Sequence, residues 1–155
     1  MGYNLAGLLI KKKYNEQEIE ILIENKIEFL KVVDFEKATS SSRDENTIDV
    51  LQTEAGTLII TELGQAYDLS NSSEDIIQFI ISDVSDTYYF EKYLNKTLVR
   101  KYITSQGEIA EDTGQGYLSD EDEFVEKIWE YIDVYLQIDF NENMFSIKFK
   151  RYKLI

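Results

Sequence analysis

Thr87-Tyr88-Tyr89-Phe90-Glu91-Lys92-Tyr93 and Thr97-Leu98-Val99-Arg100-Lys101-Tyr102-Ile103-Thr104 decide the fold, with only Leu94-Asn95-Lys96 between them. Both runs are crowded with β-branched and aromatic residues, and the short turn joining them predicts a β-hairpin. A lone hairpin is marginal in water; it needs further strands and a layer to cover its apolar face. The sequence on either side supplies candidates for both.

Upstream, Gly2 to Ile10 is apolar and flanked by charge, with Ala6-Gly7 in its middle. It reads as a buried strand whose small residues let a helix approach closely. Asn15 then offers an N-cap, Glu18 completes a capping box, and Tyr14 can staple to Ile19. Ile19, Leu22 and Ile23 share one face of that helix. Ile27 to Phe35 reads as a second strand, and Ala38 to Asn46, with three consecutive serines, as a loop. Thr47 to Gln52 and Thr57 to Thr61 predict a hairpin around Glu54-Ala55-Gly56, with Gly56 at positive φ. A second helix is expected from Ser72 or Ser73 to about Asp83, burying Ile77, Ile80 and Ile81.

Downstream, Ser119 is the expected cap of a third helix, with Asp120 to Glu123 in its first turn, where carboxylates suit the positive end of the dipole. Phe124, Ile128, Tyr131, Ile132 and Tyr135 form its apolar stripe. From Met144 to Tyr152, Phe145, Ile147 and Phe149 alternate with Ser146, Lys148 and Lys150, as in a half-exposed strand. Together these predict an α+β fold: a single mixed, mainly antiparallel sheet of six or seven strands, with three helices packed mainly on one face.

The 155 residues suit one globular domain, 1–155, because a single core is efficient at this length. A hydrophobic content of 43% with 13% aromatics is that of a folded protein. The longest apolar stretches, such as Ile76 to Ile81, fall far short of the roughly 18–20 residues a spanning helix needs. At the start of the chain the basic residues Lys11 to Lys13 follow the apolar run instead of preceding it, which is the wrong order for a secretory signal. Ala6 stands where myristoylation after Gly2 wants Ser or Thr. The Asn71 and Asn95 sequons are then chance matches to a loose pattern. Richness in Ile, Lys, Asn and Tyr suits an AT-rich genome, so a bacterial or phage cytoplasm is the expected setting.

The chain contains no His, Cys or Pro. That removes the commonest general base, the strongest nucleophile, the usual zinc ligands and any disulfide scaffold. No cofactor is expected. Asp139-Phe140-Asn141-Glu142-Asn143 copies the first half of a calcium loop, but Met144 and Lys150 occupy the positions that require Gly and Glu. The stretch reads as a turn before the last strand. Ser40 to Ser42 offers hydroxyls without a base, and Gly114-Gln115-Gly116 is too short a signal for a phosphate loop. Thirty acidic residues guarantee carboxylate pairs at any separation, so such pairs do not themselves indicate acid/base chemistry.

Charge is the informative property. Asp plus Glu outnumber Lys plus Arg by 30 to 16, a net −14, which disfavours nucleic acid and anionic membranes as partners. The segregation is sharper still. Asp44 to Glu91 holds eleven acidic residues, and Tyr102 to Glu126 eight more, without one Lys or Arg in either stretch. A surface acidic only for solubility works best with its signs mixed. The densest patch is Asp120-Glu121-Asp122-Glu123, with Glu108, Glu111 and Asp112 just upstream and Tyr117 on the glycine-flanked loop between them. Carboxylates around an exposed aromatic suit recognition of a basic surface. Helix-terminal charge next to a flexible loop accounts for the same residues without a partner.

The run Tyr89 to Lys101 resembles a recurring hairpin in small stand-alone bacterial proteins, as do Gly107-Glu108-Ile109, then Gly114 and Leu118, then the acidic start of a long helix. Some such proteins are similar to immunity proteins of polymorphic toxin systems. The resemblance covers about Asp86 to Trp129, rests mainly on structural residues, carries no catalytic residue, and implies a protein-binding role. The reading that follows is an acidic inhibitor or immunity-type module that binds a basic protein, such as a toxin or nuclease, through Glu108, Glu111, Asp112, Tyr117 and Asp120 to Glu123. Two alternatives belong to other classes. A carboxylate-based, divalent-metal-dependent enzyme would gain melting temperature with magnesium, manganese or calcium. An assembly subunit, acidic only for solubility, would self-associate or bind with little response to salt.

Overall fold

A computed structural model of the chain describes residues 2–40, 42–64 and 66–155. Its elements, in order, are β1 (Asn4–Ile10), α1 (Glu16–Ile23), β2 (Ile27–Asp34), α2 (Phe35–Ala38), β3 (Thr47–Gln52), β4 (Thr57–Thr61) and β5 (Asp75–Ser82). There follow β6 (Thr87–Leu94), β7 (Thr97–Ser105), β8 (Glu108–Gly114), α3 (Phe124–Leu136), α4 (Phe140–Asn143), a 3-10 turn (Met144–Ser146) and β9 (Lys148–Leu154). The fold is α+β, with one large sheet and a few helices against it. The sheet has nine strands in the order β2-β9-β3-β4-β1-β5-β6-β7-β8, and each of its ladders is antiparallel. Two more strands are present than the upper expectation, for two separate reasons.

The first is β5. The expected helix from Ser72 to Asp83 is a central strand between β1 and β6. Ser72 does act locally, its Oγ accepting from the Glu74 amide at 3.2 Å, but it closes a turn and not a helix. Ile77, Phe79 and Ile81 enter one core and Ile76 the other, so the run is apolar because both faces are covered. Gln78, the polar residue inside the run, is 2% exposed. Its amide accepts from the Tyr67 N–H (2.7 Å) and donates to the Tyr67 carbonyl (3.0 Å) and to Glu91 (2.9 Å). The second is β8, whose Glu-Ile-Ala-Glu-Asp-Thr-Gly has no alternation to read; it forms an outer edge, mostly exposed.

The two faces have different covers. Leu5, Leu9, Leu58, Ile60 and Phe90 pack under α3, joined by Phe35 of α2 and Phe140 of α4. Leu8, Ile10, Ile48, Val50 and Ile59 pack under Ile19 and Ile23 of α1. Helix α1 thus lies opposite the other helices. Its N-terminus is the capping box expected: Asn15 Oδ1 accepts from Glu18 N (2.8 Å) and Glu18 Oε1 from Asn15 N (3.0 Å).

Other expectations change in detail. Ile27 to Phe35 stops being strand at Asp34, whose carboxylate accepts from Lys37 N (2.9 Å) and caps the one-turn α2 at the head of the serine loop, of which Ser41 lies outside the described residues. Gly56 does not have positive φ; a Cβ there would lie 2.6 Å from the Tyr135 carbonyl oxygen and 2.9 Å from that of Ile10, so close approach is what requires glycine. The β6–β7 turn gains its positive φ from non-glycine residues, Asn95 (49°) and Lys96 (71°), as a two-residue hairpin loop demands. Only Lys148–Leu154 of the final segment is strand; Met144–Ser146 is a 3-10 turn that leaves Phe145 67% exposed.

Helix α3 begins later than expected. Its cap is Glu123, accepting from Glu126 N at 2.6 Å, so Asp120 to Glu123 precede its first turn. Trp129 and Leu136 complete the buried stripe, and Tyr131 is half-buried. Gly7 faces Phe79 of the neighbouring strand and not a helix: a Cβ at Gly7 would fall 2.5 Å from Phe79 Cζ. Gly7→Ala is therefore expected to cost about 1–3 kcal/mol by overpacking, seen in urea as a lower midpoint with unchanged slope.

Candidate functional site

One buried arginine shapes the region that carries the acidic patch. Arg100 of β7 is 4% exposed and faces α3. Its guanidinium donates to the carbonyls of Gly116 (Nε, 2.9 Å), Thr113 (Nη1, 3.0 Å) and Leu118 (Nη2, 2.7 Å), and it pairs with Asp112. A planar fork with five donors can hold a loop in this way, whereas a lysine cannot. The loop it holds runs through left-handed backbone at Gly114 (80°), Gly116 (85°) and Tyr117 (68°). Glycine takes such angles freely; an aromatic residue at positive φ is a strained exception.

Tyr117 is fixed at both ends. Its carbonyl accepts from the Tyr131 hydroxyl, and Lys92 Nζ lies 4.7 Å from its ring centroid. Lys92 is itself 4% exposed, paired with Asp75 Oδ1 at 2.6 Å and bonded to the Tyr135 hydroxyl. Tyr135 also donates to Asp75 (2.5 Å); burial first, then that carboxylate, hold its phenol far above the ordinary value. Tyr117 remains 37% exposed on top of this network.

The eight residues singled out from sequence do not all meet. Glu111 and Asp112 are neighbours in a strand, so they face opposite ways. Asp112 turns toward α3 and Arg100; Glu111 turns to the α1 side, 3.8 Å from Lys101. Glu108 registers with Ser105 and shares the Glu111 side. The remaining six, Asp112, Tyr117, Asp120, Glu121, Asp122 and Glu123, gather at the α3 side of the sheet end. There Asp122 Oδ2 accepts from Ser119 N (2.8 Å), forming a turn before the Glu123 cap. Among the described residues, Asp120, Glu121, Asp122 and Glu123 make no ion pair, although Asp112 does. In the cleft beside α1, by contrast, Glu18 (3.3 Å) and Glu74 (3.7 Å) share Lys12.

Arg100, Lys92 and Tyr131, which position the patch, are read from the sequence only as hairpin and helix-stripe residues, with no role at the site. The signal for the first two was strand parity: Lys92 lies two residues from buried Phe90, and Arg100 two from buried Tyr102, so each cation points into the covered face. Among the described residues no three acidic side chains converge as metal ligands, and Asp139 to Asn143 forms the short α4 with its cap. No helix among the described residues is long and apolar enough to cross a membrane. Compared with family models, curated proteins and solved structures, the chain matches none.

Proposed function

We propose that this chain is an acidic protein-binding module of the inhibitor or immunity type, working in a bacterial cytoplasm, whose α3-side sheet end covers a basic site on a protein partner such as a toxin or nuclease. The observation that carries the reading is the run Asp120 to Glu123, four exposed carboxylates without an ion pair among the described residues, set on a hydrogen-bonded turn next to the clamped Tyr117. Unneutralised charge on a preorganised surface raises encounter rates with a basic partner and excludes acidic ones. The strained Tyr117, partly exposed and held from both sides, supplies a rigid aromatic contact that loses little entropy on docking.

The test uses substitutions that leave the fold intact. Among the described residues the Asp120 and Glu121 side chains make no hydrogen bond or ion pair that the turn depends on, so Asp120→Lys with Glu121→Lys is expected to change stability by less than about 0.5 kcal/mol. Immobilised wild-type protein is expected to retain a basic protein that high salt releases, and the doubly reversed variant to lose it. Equal retention by both would overturn the proposed face.

A further inference from the structure

Beside Asp120 lies a groove of about 380 Å³, walled by the β7–β8 hairpin on one side and by residues 118–124 on the other. Tyr88, Phe124 and Leu118 make its apolar wall, the two rings tilted at 40° to each other with 5.2 Å between centroids. Asp86, Asp120, Asp122 and Glu123 contribute carboxylates, and no Lys or Arg lines it among the described residues. Tyr102 also lines the groove. It is 4% exposed, and its hydroxyl is buried without a hydrogen-bond partner among the described residues. Buried hydroxyls are normally satisfied, and an exception calls for an explanation. Burial, followed by the charges of Asp120, Asp112 and Asp122, raises the pKa of this phenol. It therefore stays protonated near neutral pH, with lone pairs available to a donor.

We infer that this groove seats an arginine side chain of the basic partner, its stem against Tyr88, Phe124 and Leu118 and its guanidinium between the Tyr102 hydroxyl and the rim carboxylates. The inference rests on the inhibitor reading above and names the group that reading leaves open. Arginine fits better than lysine because its planar fork serves a hydroxyl and a carboxylate at once, and its weakly hydrated guanidinium tolerates an apolar wall.

The probes are two short peptides, acetyl-Gly-Ser-Arg-Ser-Gly-amide and its lysine counterpart, titrated into the isotope-labelled full chain and followed by amide NMR. Saturable shifts are expected at Gly107, Ser119 and Asp120, with the lysine peptide weaker by several-fold. Tyr102→Phe is expected to weaken the arginine peptide about tenfold. It removes a hydroxyl without a hydrogen-bond partner among the described residues, so its melting temperature should equal or exceed that of wild type. Asp120→Asn, a second variant, is expected to weaken binding as well. Shifts spread evenly over distant carboxylates such as Glu54 and Glu142, or equal affinity in Tyr102→Phe, would overturn the inference. If that happens while Asp120→Lys with Glu121→Lys still abolishes capture of a basic protein, the arginine seat alone is refuted. If capture is also unaffected, the inhibitor reading falls with it.

Discussion

Asp49→Ala is expected to lower stability by about 3–5 kcal/mol, the largest loss from a single substitution outside the apolar cores. Asp49 is fully buried in β3, opposite Arg151 of β9 in the sheet register. Its two oxygens accept from Arg151 Nε (2.8 Å) and Nη2 (2.9 Å), and from Arg43 Nη2 (2.9 Å). One carboxylate thus sits between two guanidinium groups whose side chains are 3% and 8% exposed. Burial pushes the Arg43 guanidinium down from its ordinary value, with Asp49 opposing, while the hydrogen bonds that Arg151 donates to Asp49 hold Arg151 up. Removing Asp49 leaves two buried cations facing each other. Asp44, a second carboxylate partner of Arg151 at 2.9 Å, is half-exposed and cannot replace it. Adding Arg43→Met to Asp49→Ala should recover part of the loss, because it removes one of the stranded charges. Urea denaturation at neutral pH measures both. A loss under about 1 kcal/mol for the single variant would mean that water reaches this cluster.

Alkaline unfolding is the second large effect. The chain has eleven Tyr and no His or Cys, so no side chain with an ordinary pKa lies between the carboxylates and tyrosine. Stability should be nearly flat from about pH 6 to 9. Above that, several phenols are held above their unfolded value. Burial, then Asp122, pushes Tyr131 up to about 12; a hydrogen bond to Asp83 raises Tyr88; burial, then Glu91, raises Tyr89; and burial with Asp75 raises Tyr135. Each raised group contributes stability that is complete below the unfolded pKa, near 10, and is lost as pH climbs through the folded pKa, because only the unfolded chain releases the proton early. Each such tyrosine steepens the fall by up to about 1.4 kcal/mol per pH unit. The expected result is a cooperative loss of near-ultraviolet dichroism above pH 10, with tyrosinate absorbance rising in the same transition. Tyrosinate appearing at pH 10 with the dichroism intact would show that the phenols are open to solvent.

What the sequence disclosed about this fold follows from where periodicity survives. The β6–β7 hairpin was legible because residue type and turn length agree there, and α1 because Asn15 and Glu18 stand at capping-box spacing. Strand β5 was not: Ser72 and Ser73 followed by Glu74 and Asp75 copy a helix start, and a strand buried on both faces has no alternation to contradict it. Strand β8 was hidden by its exposure, since no apolar face is needed at an outer edge. The acidic run itself could be read, but not which of its members face together. That depended on Glu111 and Asp112 lying in a strand, and on Arg100 drawing residues 112–118 against the sheet.

The rate of association between this chain and the basic partner proposed for it, followed by stopped flow from about 20 to 500 mM salt, tests the acidic face most directly. Wild type is expected to associate fast at low salt and to slow steeply as salt rises. Asp120→Lys with Glu121→Lys should start about tenfold slower or more and depend on salt far less. Rates that coincide for the two proteins across the whole range would contradict the account, because the four exposed carboxylates before α3 would then play no part in the encounter.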